Sequence, residues 1–435
     1  MKKFVIILAI AAALFQTAQA KKVQKTAPRE QDRYVVILSL DAFRWDLTSK
    51  ADTPTLDSLR KAGSYAETYP CFPSNTFPNH YAMATGLHPN HHGLVNNGFK
   101  DKLLDKTYTM SDRNIVADPD FYYGEPIWNT AEHQGKLANI FMWVGSETVI
   151  NGRQASVWTP YSAAVPFTER ADWVIEALHR PVEEIPNLIM WYIEEPDAVM
   201  HHTGPDSPET KAMVEKLDGV LGYFFSKVKS SPVFDKIDFI ITADHGMTET
   251  SPERIVDLWP YLDRSRIRDV AYGTPIGFDV DEDYLDEAYD ILSKVEHVNV
   301  FKRDEMPAKY HYGSYKARIN NLLVLPDVRW KISYRDPAEE RRPAPKPADH
   351  VRPQADPNHV QLGGAHGYDP FEKDMSMIFY GSGPHFRKGY TQKSFQNLNM
   401  YIIMCYLLDI EPAPNDCDWN AVRKMFVKQK NRQKR

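Results

Sequence analysis

The sequence predicts an α/β fold in which a mostly parallel central sheet is sandwiched by helices. Two observations carry the prediction: short runs that are apolar on both faces, and helical patterns between them. Residues buried on both faces are typical of parallel strands covered by helices. Strands that alternate with helices then imply right-handed crossover connections. The predicted strands are 34–40, 188–193, 239–242 and 375–380.

The best-marked helix begins after Ser207. Ser207 is a favoured N-cap residue, and Pro208 suits the first helical turn. Apolar residues then recur at helical spacing until Ser231-Pro232, which ends the pattern. These apolar positions are Met213, Leu217, Val220, Leu221, Phe224 and Val228. This segment supplies one of the helices that we expect to cover the sheet.

Residues 1–20 have the pattern of an export signal. Lys2 and Lys3 precede an apolar run over 4–14, and Ala18-Gln-Ala20 forms a cleavage site of small residues. The apolar run is shorter than the roughly 20 residues that a membrane span needs. We therefore expect a mature chain, 21–435, that is exported to the periplasm or secreted, with no membrane span.

Composition excludes some classes of partner and framework. The formal net charge of −6 argues against a general nucleic-acid-binding surface, which is normally basic. A phosphate substrate stays compatible with this charge, because bound metal ions can dominate the local field of a site. Three cysteines are too few for a disulfide framework. Cys405 and Cys417 could pair in an oxidising compartment, although Cys405 lies in an apolar run typical of a buried core.

Two stretches depart from the alternating pattern. Residues 278–327 combine an acidic helical segment with strand-like pieces, and predict a small α+β insertion beside the main fold. Residues 335–357 are rich in proline and charge, and predict an exposed loop with little regular structure. The oligomeric state is left open by the sequence.

Seven polar residues stand in motifs that follow or border predicted strands and helices. Ligands of α/β sheets collect at the carboxyl ends of the strands, so residues far apart in sequence are expected to meet there. Three carboxylates, three imidazoles and one hydroxyl suit two adjacent zinc ions, which accept mixed ligation. The candidate ligands are Asp41, Thr76, Asp197, His201, Asp244, His245 and His366.

Thr76 is the candidate nucleophile of this group. It begins a predicted helix, where free backbone N–H groups and the helix dipole attract a phosphoryl group. A hydroxyl that reaches a metal ion at neutral pH can be activated for attack. The alternative is an ordinary threonine N-cap, which is the more frequent role of such a residue. Asp197 and His201, four apart, would share one helix face, and His366 lies in a predicted glycine-rich loop.

The chain resembles the nucleotide pyrophosphatase/phosphodiesterase family of the alkaline phosphatase superfamily. The resemblance covers residues 41–414 and implies an alkaline-phosphatase-like catalytic domain over 21–435. The motifs that carry it are Thr76-Phe-Pro-Asn-His-Tyr81, His92-Gly-Leu-Val-Asn-Asn97, Tyr123-Gly-Glu-Pro-Ile-Trp128, Tyr192-Ile-Glu-Glu-Pro-Asp197, Ala243-Asp-His-Gly-Met247 and His366-Gly-Tyr-Asp369.

The resemblance implies a site with two zinc ions. Asp41, Thr76, Asp244 and His245 would surround one ion, while Asp197, His201 and His366 would hold the other. Asn97 would bind a non-bridging phosphate oxygen together with a backbone amide near the nucleophile. The implied activity is hydrolysis of nucleotide diesters and phosphoanhydrides to nucleoside 5′-monophosphates, through a phosphothreonine intermediate.

The resemblance also suggests a pocket for the nucleotide base. Phe77 and Tyr192 would sandwich the base, Tyr161 matches another pocket tyrosine, and Met110 would line the wall. The simpler alternative is that all four are core residues. Two other functions stay open: a phosphodiesterase of the same fold that cuts phospholipid head groups or other non-nucleotide diesters, and a catalytically silent protein that only captures nucleotides or metal.

Overall fold

A computed structural model of the chain describes residues 33–338 and 362–427. The predicted export signal at 1–20 and most of the proline-rich segment at 335–357 lie outside the described residues. Within the described ranges, no helix is both long enough and apolar enough to cross a bilayer. Cys71, Cys405 and Cys417 are all free thiols.

The strands of the described residues are short, and nine of the nineteen lie in one central sheet. In chain order they are β1 (Tyr34–Leu40), β2 (Ser64–Tyr69), β3 (Gly98–Asp101), β4 (Lys106–Thr109), β5 (Ala138–Phe141), β6 (Val157–Thr159), β7 (Leu188–Ile193), β8 (Ile237–Thr242), β9 (Thr248–Thr250), β10 (Ile255–Asp257), β11 (Ile267–Ala271), β12 (Ile276–Val280), β13 (Val298–Lys302), β14 (Leu322–Pro326), β15 (Lys331–Ser333), β16 (Gly363–Ala365), β17 (Met377–Ser382), β18 (Tyr390–Thr391) and β19 (Phe395–Gln396).

The α-helices of the described residues range from single turns to one helix of 21 residues. They are α1 (Pro54–Ala62), α2 (Thr76–Thr85), α3 (Pro89–His92), α4 (Arg113–Val116), α5 (Ile127–His133), α6 (Phe167–Leu178), α7 (Asp197–Thr203), α8 (Pro208–Val228), α9 (Leu285–Leu292), α10 (Met400–Leu408) and α11 (Trp419–Val422). The predicted cap of α8 is confirmed, since the Ser207 hydroxyl accepts a hydrogen bond from the Thr210 amide at 3.1 Å.

The central sheet has nine strands in the order β18-β2-β17-β8-β1-β7-β5-β6, with β19 also beside β2. β1 lies between β7 and β8 and runs parallel to both. β17 is antiparallel to β8 and β2, so the sheet is mixed at this side. Alternate residues of β1 face two different cores. Val35 and Ile37 face the first core, and Val36 and Leu38 face the second. Helices α2, α5 and α10 cover the first face, and α1, α6 and α8 the second. The predicted α/β class is confirmed.

A second sheet, antiparallel, is built from β11, β12, β14 and β13 in that order. With α9 it encloses its own core around Phe278, Leu292 and Val324. The predicted insertion at 278–327 covers most of this unit, whose first strand β11 precedes the predicted boundary. The unit touches the main fold through Arg318, whose buried guanidinium donates to Asp101 Oδ2 at 2.6 Å.

Three local predictions differ from the structure. The strand predicted at 239–242 begins two residues earlier, at Ile237. The fourth predicted strand begins at Met377 instead of 375, because residues 373–375 form a 3₁₀ turn. The glycine-rich loop before His366 is instead the strand β16, which pairs with β9. Gly364 allows α7 to pack closely on β16, since a Cβ there would lie 2.6 Å from the Met200 carbonyl oxygen. His366 directly follows β16 and itself lies outside any helix or strand, so its predicted place in a loop is confirmed.

Candidate active site

Three adjacent parallel strands place three carboxylates at one edge of the sheet. Asp41 follows β1, Asp244 lies two residues after β8, and Asp197 begins α7 just beyond β7. Backbone groups connect these ends: Asp41 N–H donates to the Ile193 carbonyl at 2.9 Å, and Asp197 N–H to the Asp41 carbonyl at 3.2 Å. The Ala42 amide donates to Asp244 Oδ1 at 3.1 Å. Residues about two hundred positions apart are therefore held as one rigid edge.

The first half of the predicted ligand set converges on His245. Its Nε2 lies 3.1 Å from Asp244 Oδ2, 3.5 Å from Asp41 Oδ1 and 3.1 Å from Thr76 Oγ1. Nδ1 of the same ring is hydrogen-bonded with the Gly246 carbonyl at 2.9 Å, which leaves Nε2 to face the cluster. The structure thus brings together all four residues of the first predicted zinc site.

The second half converges on Asp197. Its Oδ2 lies 3.3 Å from His201 Nε2, one helical turn along α7, and its Oδ1 lies 3.7 Å from His366 Nε2. The outer nitrogens of both rings bond to backbone carbonyls, His201 to Gly364 and His366 to Ser74. Such bonds orient the inner nitrogens, as they do in metal sites.

The two halves share a boundary at His245. Its ring stacks on His366 with centroids 3.8 Å apart. Ligand atoms of Asp41, Asp244 and His245 lie within 4.8 Å of one another, and so do those of Asp197, His245 and His366. His201 stands outside these tight groups, although it pairs with Asp197. The geometry therefore supports two adjoining cation positions, with His245 near both.

Three buried carboxylate oxygens have no hydrogen-bond partner among the described residues: Asp41 Oδ1, Asp197 Oδ1 and Asp244 Oδ2. Burial raises the pKa of Asp41 well above its usual range, and the nearby charges of Asp244 and Asp197 raise it further. An unpaired buried charge is strongly destabilising unless a cation compensates it. The residues present therefore fit a multivalent cation.

Asp197 and the imidazoles around it shift one another's pKa values. Burial tends to raise the pKa of Asp197, but His201, His366 and His245 hold it at about 2. Burial tends to lower the pKa of His201, but Asp197 raises it to about 9. Mixed imidazole and carboxylate ligands suit zinc better than calcium or magnesium, which prefer oxygen donors.

Thr76 is the first residue of α2, and its side chain is buried against His245. The next residue contributes its backbone: the Phe77 amide donates to Asn97 Oδ1 at 2.9 Å. This bond orients the carboxamide of Asn97, whose Nδ2 makes no hydrogen bond to the described part of the chain. Asn97 thus stands beside the candidate nucleophile with a free N–H donor. At the other end of α2, Gly86 ends the helix with a φ of +68°.

His80 is a site residue that the sequence reasoning missed. Among several histidines of this stretch, nothing local marks it as more than a loop or capping residue, but it is buried one helical turn after Thr76. Its Nδ1 lies 3.0 Å from the Thr76 carbonyl oxygen and 3.4 Å from Asp244 Oδ2, and its Nε2 lies 2.9 Å from Ser39 Oγ. The i, i+4 spacing from Thr76 was the available signal.

A cavity of about 250 Å³ opens beside Thr76 and Asp41. All four residues predicted for the base pocket line it: Phe77, Met110, Tyr161 and Tyr192. Tyr192 has a further contact that the sequence did not predict, because its hydroxyl donates to Asp41 Oδ2 at 2.5 Å. Tyr161 lies against it, with ring centroids 5.9 Å apart. Tyr192 therefore supports the carboxylate edge as well as the pocket wall.

Two charged residues of this cavity were also missed. Arg113 begins α4, Glu147 follows β5, and the two form an ion pair in the pocket wall. Nothing local in the sequence connects residues 34 positions apart in separate segments. Only the assembled fold brings them into contact.

Comparisons with known proteins agree with this geometry. The family model "Type I phosphodiesterase / nucleotide pyrophosphatase" matches residues 35–369. Human ectonucleotide pyrophosphatase/phosphodiesterase family member 5 is 31% identical over 96% of this chain and 82% of its own length. Human family member 1 is 30% identical, and there the match spans 88% of this chain but 40% of the relative.

Solved structures give the same result. Murine family member 5, in an inactive form in complex with AMP, superposes with a TM-score of 0.81 at 28% identity, covering 91% of this chain and 100% of that one. Human member 5 gives a TM-score of 0.80 at 30% identity, with the same coverage. The resemblance stated from the motifs is thereby confirmed.

Proposed function

Since the chain belongs to the type I phosphodiesterase / nucleotide pyrophosphatase family, we propose that it hydrolyses nucleotide diesters and phosphoanhydrides to nucleoside 5′-monophosphates. The observation that carries the proposal is the Thr76 hydroxyl, which lies 3.1 Å from His245 Nε2 at the sheet edge that carries Asp41, Asp197 and Asp244. The cavity that opens beside it supplies room for a base.

We propose two zinc ions as cofactors. Asp41, Thr76, Asp244 and His245 would hold one, and Asp197, His201 and His366 the other. The three partnerless carboxylate oxygens and the inward-facing imidazole nitrogens support this assignment. When bound, zinc lowers the pKa of a coordinated hydroxyl or water and neutralises charge on phosphoryl oxygens.

The residues of this chain then carry out two successive displacement reactions at phosphorus. Thr76 Oγ attacks the phosphorus, forming a phosphothreonine while the bond to the leaving oxygen breaks. Water next attacks the same phosphorus, the bond to Thr76 Oγ breaks, and the nucleoside monophosphate leaves. Asn97 Nδ2 donates to a non-bridging oxygen as negative charge develops there. His80 supports the first turn of α2 through the Thr76 carbonyl, and so positions the nucleophile.

For the base we propose a clamp between Phe77 and the pair Tyr161 and Tyr192, with Met110 at the wall. Phe77 is supported from behind by Tyr108, whose ring meets it edge-on at 6.2 Å. The Tyr192 ring is held in place because its hydroxyl is hydrogen-bonded to Asp41, so the neighbouring Tyr161 ring is the one that can adjust to a base. Aromatic faces on both sides suit any base, since every base has a π-face.

We also propose export, from the basic and apolar pattern of residues 1–20, and one catalytic domain over 21–435 with a small insertion near 278–327. The substrates would be small nucleotides, and no general nucleic-acid surface is expected from the acidic balance. The competing function is a diesterase of the same fold that acts on phospholipid head groups. The murine relative's complex with AMP favours nucleotides.

One assay tests the proposal. Zinc-loaded protein is incubated with ATP or with a lysophospholipid diester, and the products are separated by chromatography. We expect AMP and pyrophosphate from ATP, with little cleavage of the lipid. Efficient release of the lipid head group without AMP formation would move the lipid diesterase ahead, and no turnover of either substrate would favour a binding protein.

A further inference from the structure

The loop before the candidate nucleophile is held by side chains instead of by regular structure. Residues 70–75 connect β2 to α2 and belong to no helix or strand. Thr76 follows directly, so the placement of its hydroxyl depends on the contacts that hold this loop. An error of about 1 Å in the position of a reacting group can cost roughly a hundredfold in rate. The contacts of the loop therefore bear on the proposed chemistry.

Asn79, three residues after Thr76 in α2, holds the loop. Its Nδ2 donates to the carbonyls of Pro73 at 3.0 Å and of Asn75 at 2.9 Å. Its Oδ1 accepts a hydrogen bond from the Cys71 amide at 2.7 Å. Asn79 is fully buried, so these bonds are not shared with solvent. The loop and the first turn of α2 are thus joined into one unit.

Asn397 connects this unit to the edge that carries the candidate metal ligands. It lies in a 3₁₀ turn just before α10 and is fully buried. Its Nδ2 donates to Asn79 Oδ1 at 3.0 Å and to the Asp244 carbonyl at 3.2 Å. That carbonyl belongs to the peptide group that leads into His245, whose Nε2 lies 3.1 Å from Thr76 Oγ1. One carboxamide therefore joins the two sides of the reaction end.

Every polar atom of the Asn397 side chain has a partner. A carboxamide has two N–H donors, and both are used by the bonds to Asn79 and Asp244. The Asn397 oxygen accepts from Cys71 Sγ at 3.6 Å, which is a weak hydrogen bond. A buried polar network whose members are all satisfied is rigid and specifies one arrangement. Loss of the central carboxamide should therefore loosen the loop relative to the metal-ligand edge.

We propose that Asn397 is a positioning residue for the reaction. It sets the distance between the Thr76 hydroxyl and the metal-ligand edge, through Asn79 on one side and the Asp244 carbonyl on the other. This inference rests on the proposed function, since it assigns a purpose to the placement of a nucleophile. Asn397 does not line the cavity, so it should affect the attack on phosphorus and not the binding of a nucleotide.

The chain offers a matched control residue. Asn129 of α5 is also a fully buried asparagine, and its Nδ2 donates to the Ile150 carbonyl at 2.8 Å. Asn129 does not line the cavity. Replacement by leucine has a similar volume at both positions and removes a buried hydrogen bond to a backbone carbonyl, which costs stability in both variants. A purely structural role of Asn397 predicts the same consequences as at Asn129.

The test compares Asn397→Leu with Asn129→Leu in zinc-loaded protein. kcat/KM is measured for ATP and for a base-free aryl phosphodiester, since this parameter includes the first displacement. The inhibition constant of AMP reports binding without reaction, and zinc content and the urea midpoint are measured alongside. We expect Asn397→Leu to lower both kcat/KM values by roughly ten- to a hundredfold, the range of a slightly misplaced nucleophile. The AMP inhibition constant and the zinc content should stay near wild type.

The control should lose a similar amount of stability and keep the wild-type kcat/KM. Asn397→Ser makes a smaller change and keeps one hydroxyl donor, and Asn129→Ser is its control. We expect a smaller fall in kcat/KM in Asn397→Ser than in Asn397→Leu. If neither Asn397 variant folds while both controls do, Asn397 is a structural residue and the positioning role is overturned.

The remaining outcomes separate this inference from the proposed function. Unchanged kcat/KM in a folded, zinc-loaded Asn397 variant overturns the positioning role, and so does an equal fall in the Asn129 control or a matching loss of zinc. Wild-type protein that cleaves the aryl diester but not ATP overturns the nucleotide assignment, while the aryl substrate still decides the role of Asn397. Wild-type protein that cleaves neither substrate overturns both.

Discussion

The two ends of the active-site cavity are built in different ways. At the reaction end, the side chains of Asp41, Asp244 and His245 are nearly fully buried, and they constrain one another across adjacent strands. At the base end, Phe77 and Tyr192 come from α2 and β7, but the rest of the wall comes largely from loops and the short helix α4, and Met110 is 44% exposed. A rigid end can carry chemistry common to every substrate, while an adaptable end decides which substrate is taken. The following predictions test that division, from the largest effect to the smallest.

Replacing Thr76 by alanine should break the reaction end for every substrate. We expect turnover of ATP and of a base-free aryl diester to fall together by roughly a thousandfold or more, since removal of a nucleophile abolishes the covalent route. Six other ligands remain, so zinc content measured by atomic emission should stay near wild type. Thr76→Ser keeps a hydroxyl and should retain part of the activity; a nearly active Thr76→Ala variant would exclude Thr76 as the nucleophile.

Removing a ligand should affect metal content as well as rate. We expect about two zinc ions per chain in zinc-replete protein, and a lower stoichiometry in Asp244→Ala because its Oδ2 would leave the cluster. Chelator should abolish turnover of both substrates and added zinc should restore it. The control is Asp238→Asn, a buried aspartate at the other end of β8 that bonds His385. Full zinc content in Asp244→Ala would contradict the ligand assignment.

Changes at the base end should separate the substrates. Phe77→Ala and Tyr161→Ala should each lower kcat/KM for ATP by roughly ten- to a hundredfold, the range of one lost base-stacking contact. The base-free diester should be little affected. Tyr192→Ala should instead lower both activities, because its hydroxyl also holds Asp41.

Tyr192→Phe sharpens this comparison, since it keeps the ring and removes only that hydrogen bond. We expect equal, modest losses of kcat on ATP and on the base-free diester. A loss confined to ATP would mean that the Tyr192 hydroxyl acts on the nucleotide and not through Asp41.

The packing of α2, which carries residues of both ends of the cavity, should weaken in acid. His92 packs edge-on against Tyr81 of α2, the helix that carries Thr76 and Phe77. Its Nε2 donates to the Pro78 carbonyl at 3.0 Å while Nδ1 accepts from the Leu94 amide at 3.2 Å, so the ring is neutral. Burial lowers the pKa of His92 to about 3.

A histidine whose pKa is lowered on folding contributes stability that is complete above its unfolded value of about 6.5 and is lost as pH falls toward the folded value. The urea midpoint of zinc-free protein should therefore fall between pH 7 and pH 5. His92→Asn should be less stable at pH 7 but should show a smaller fall. An equal fall in the urea midpoint of the two proteins would mean that His92 does not cause the loss of stability.

Much of the candidate site could be predicted because each motif has a local signal. An apolar run followed by Asp41 or Asp244 indicates a strand end, and four-residue spacing places His201 beside Asp197. The pairing of β16 was not predictable in this way, since Gly363 and Gly364 carry no strand propensity and form a strand only because β9 lies next to them. The antiparallel entry of β17 between β8 and β2 has the same origin.

The sequence by itself determined the α/β class, the seven candidate ligands and the family, because periodicity, caps and short motifs are written within a few consecutive residues. Tertiary structure alone decided which polar side chains meet: Tyr192 with Asp41, His80 with Asp244, and Arg113 with Glu147. These contacts depend on how crossover connections bring distant segments to one edge of the sheet. Local propensity does not encode which distant segments meet, so these contacts became visible only in the assembled fold.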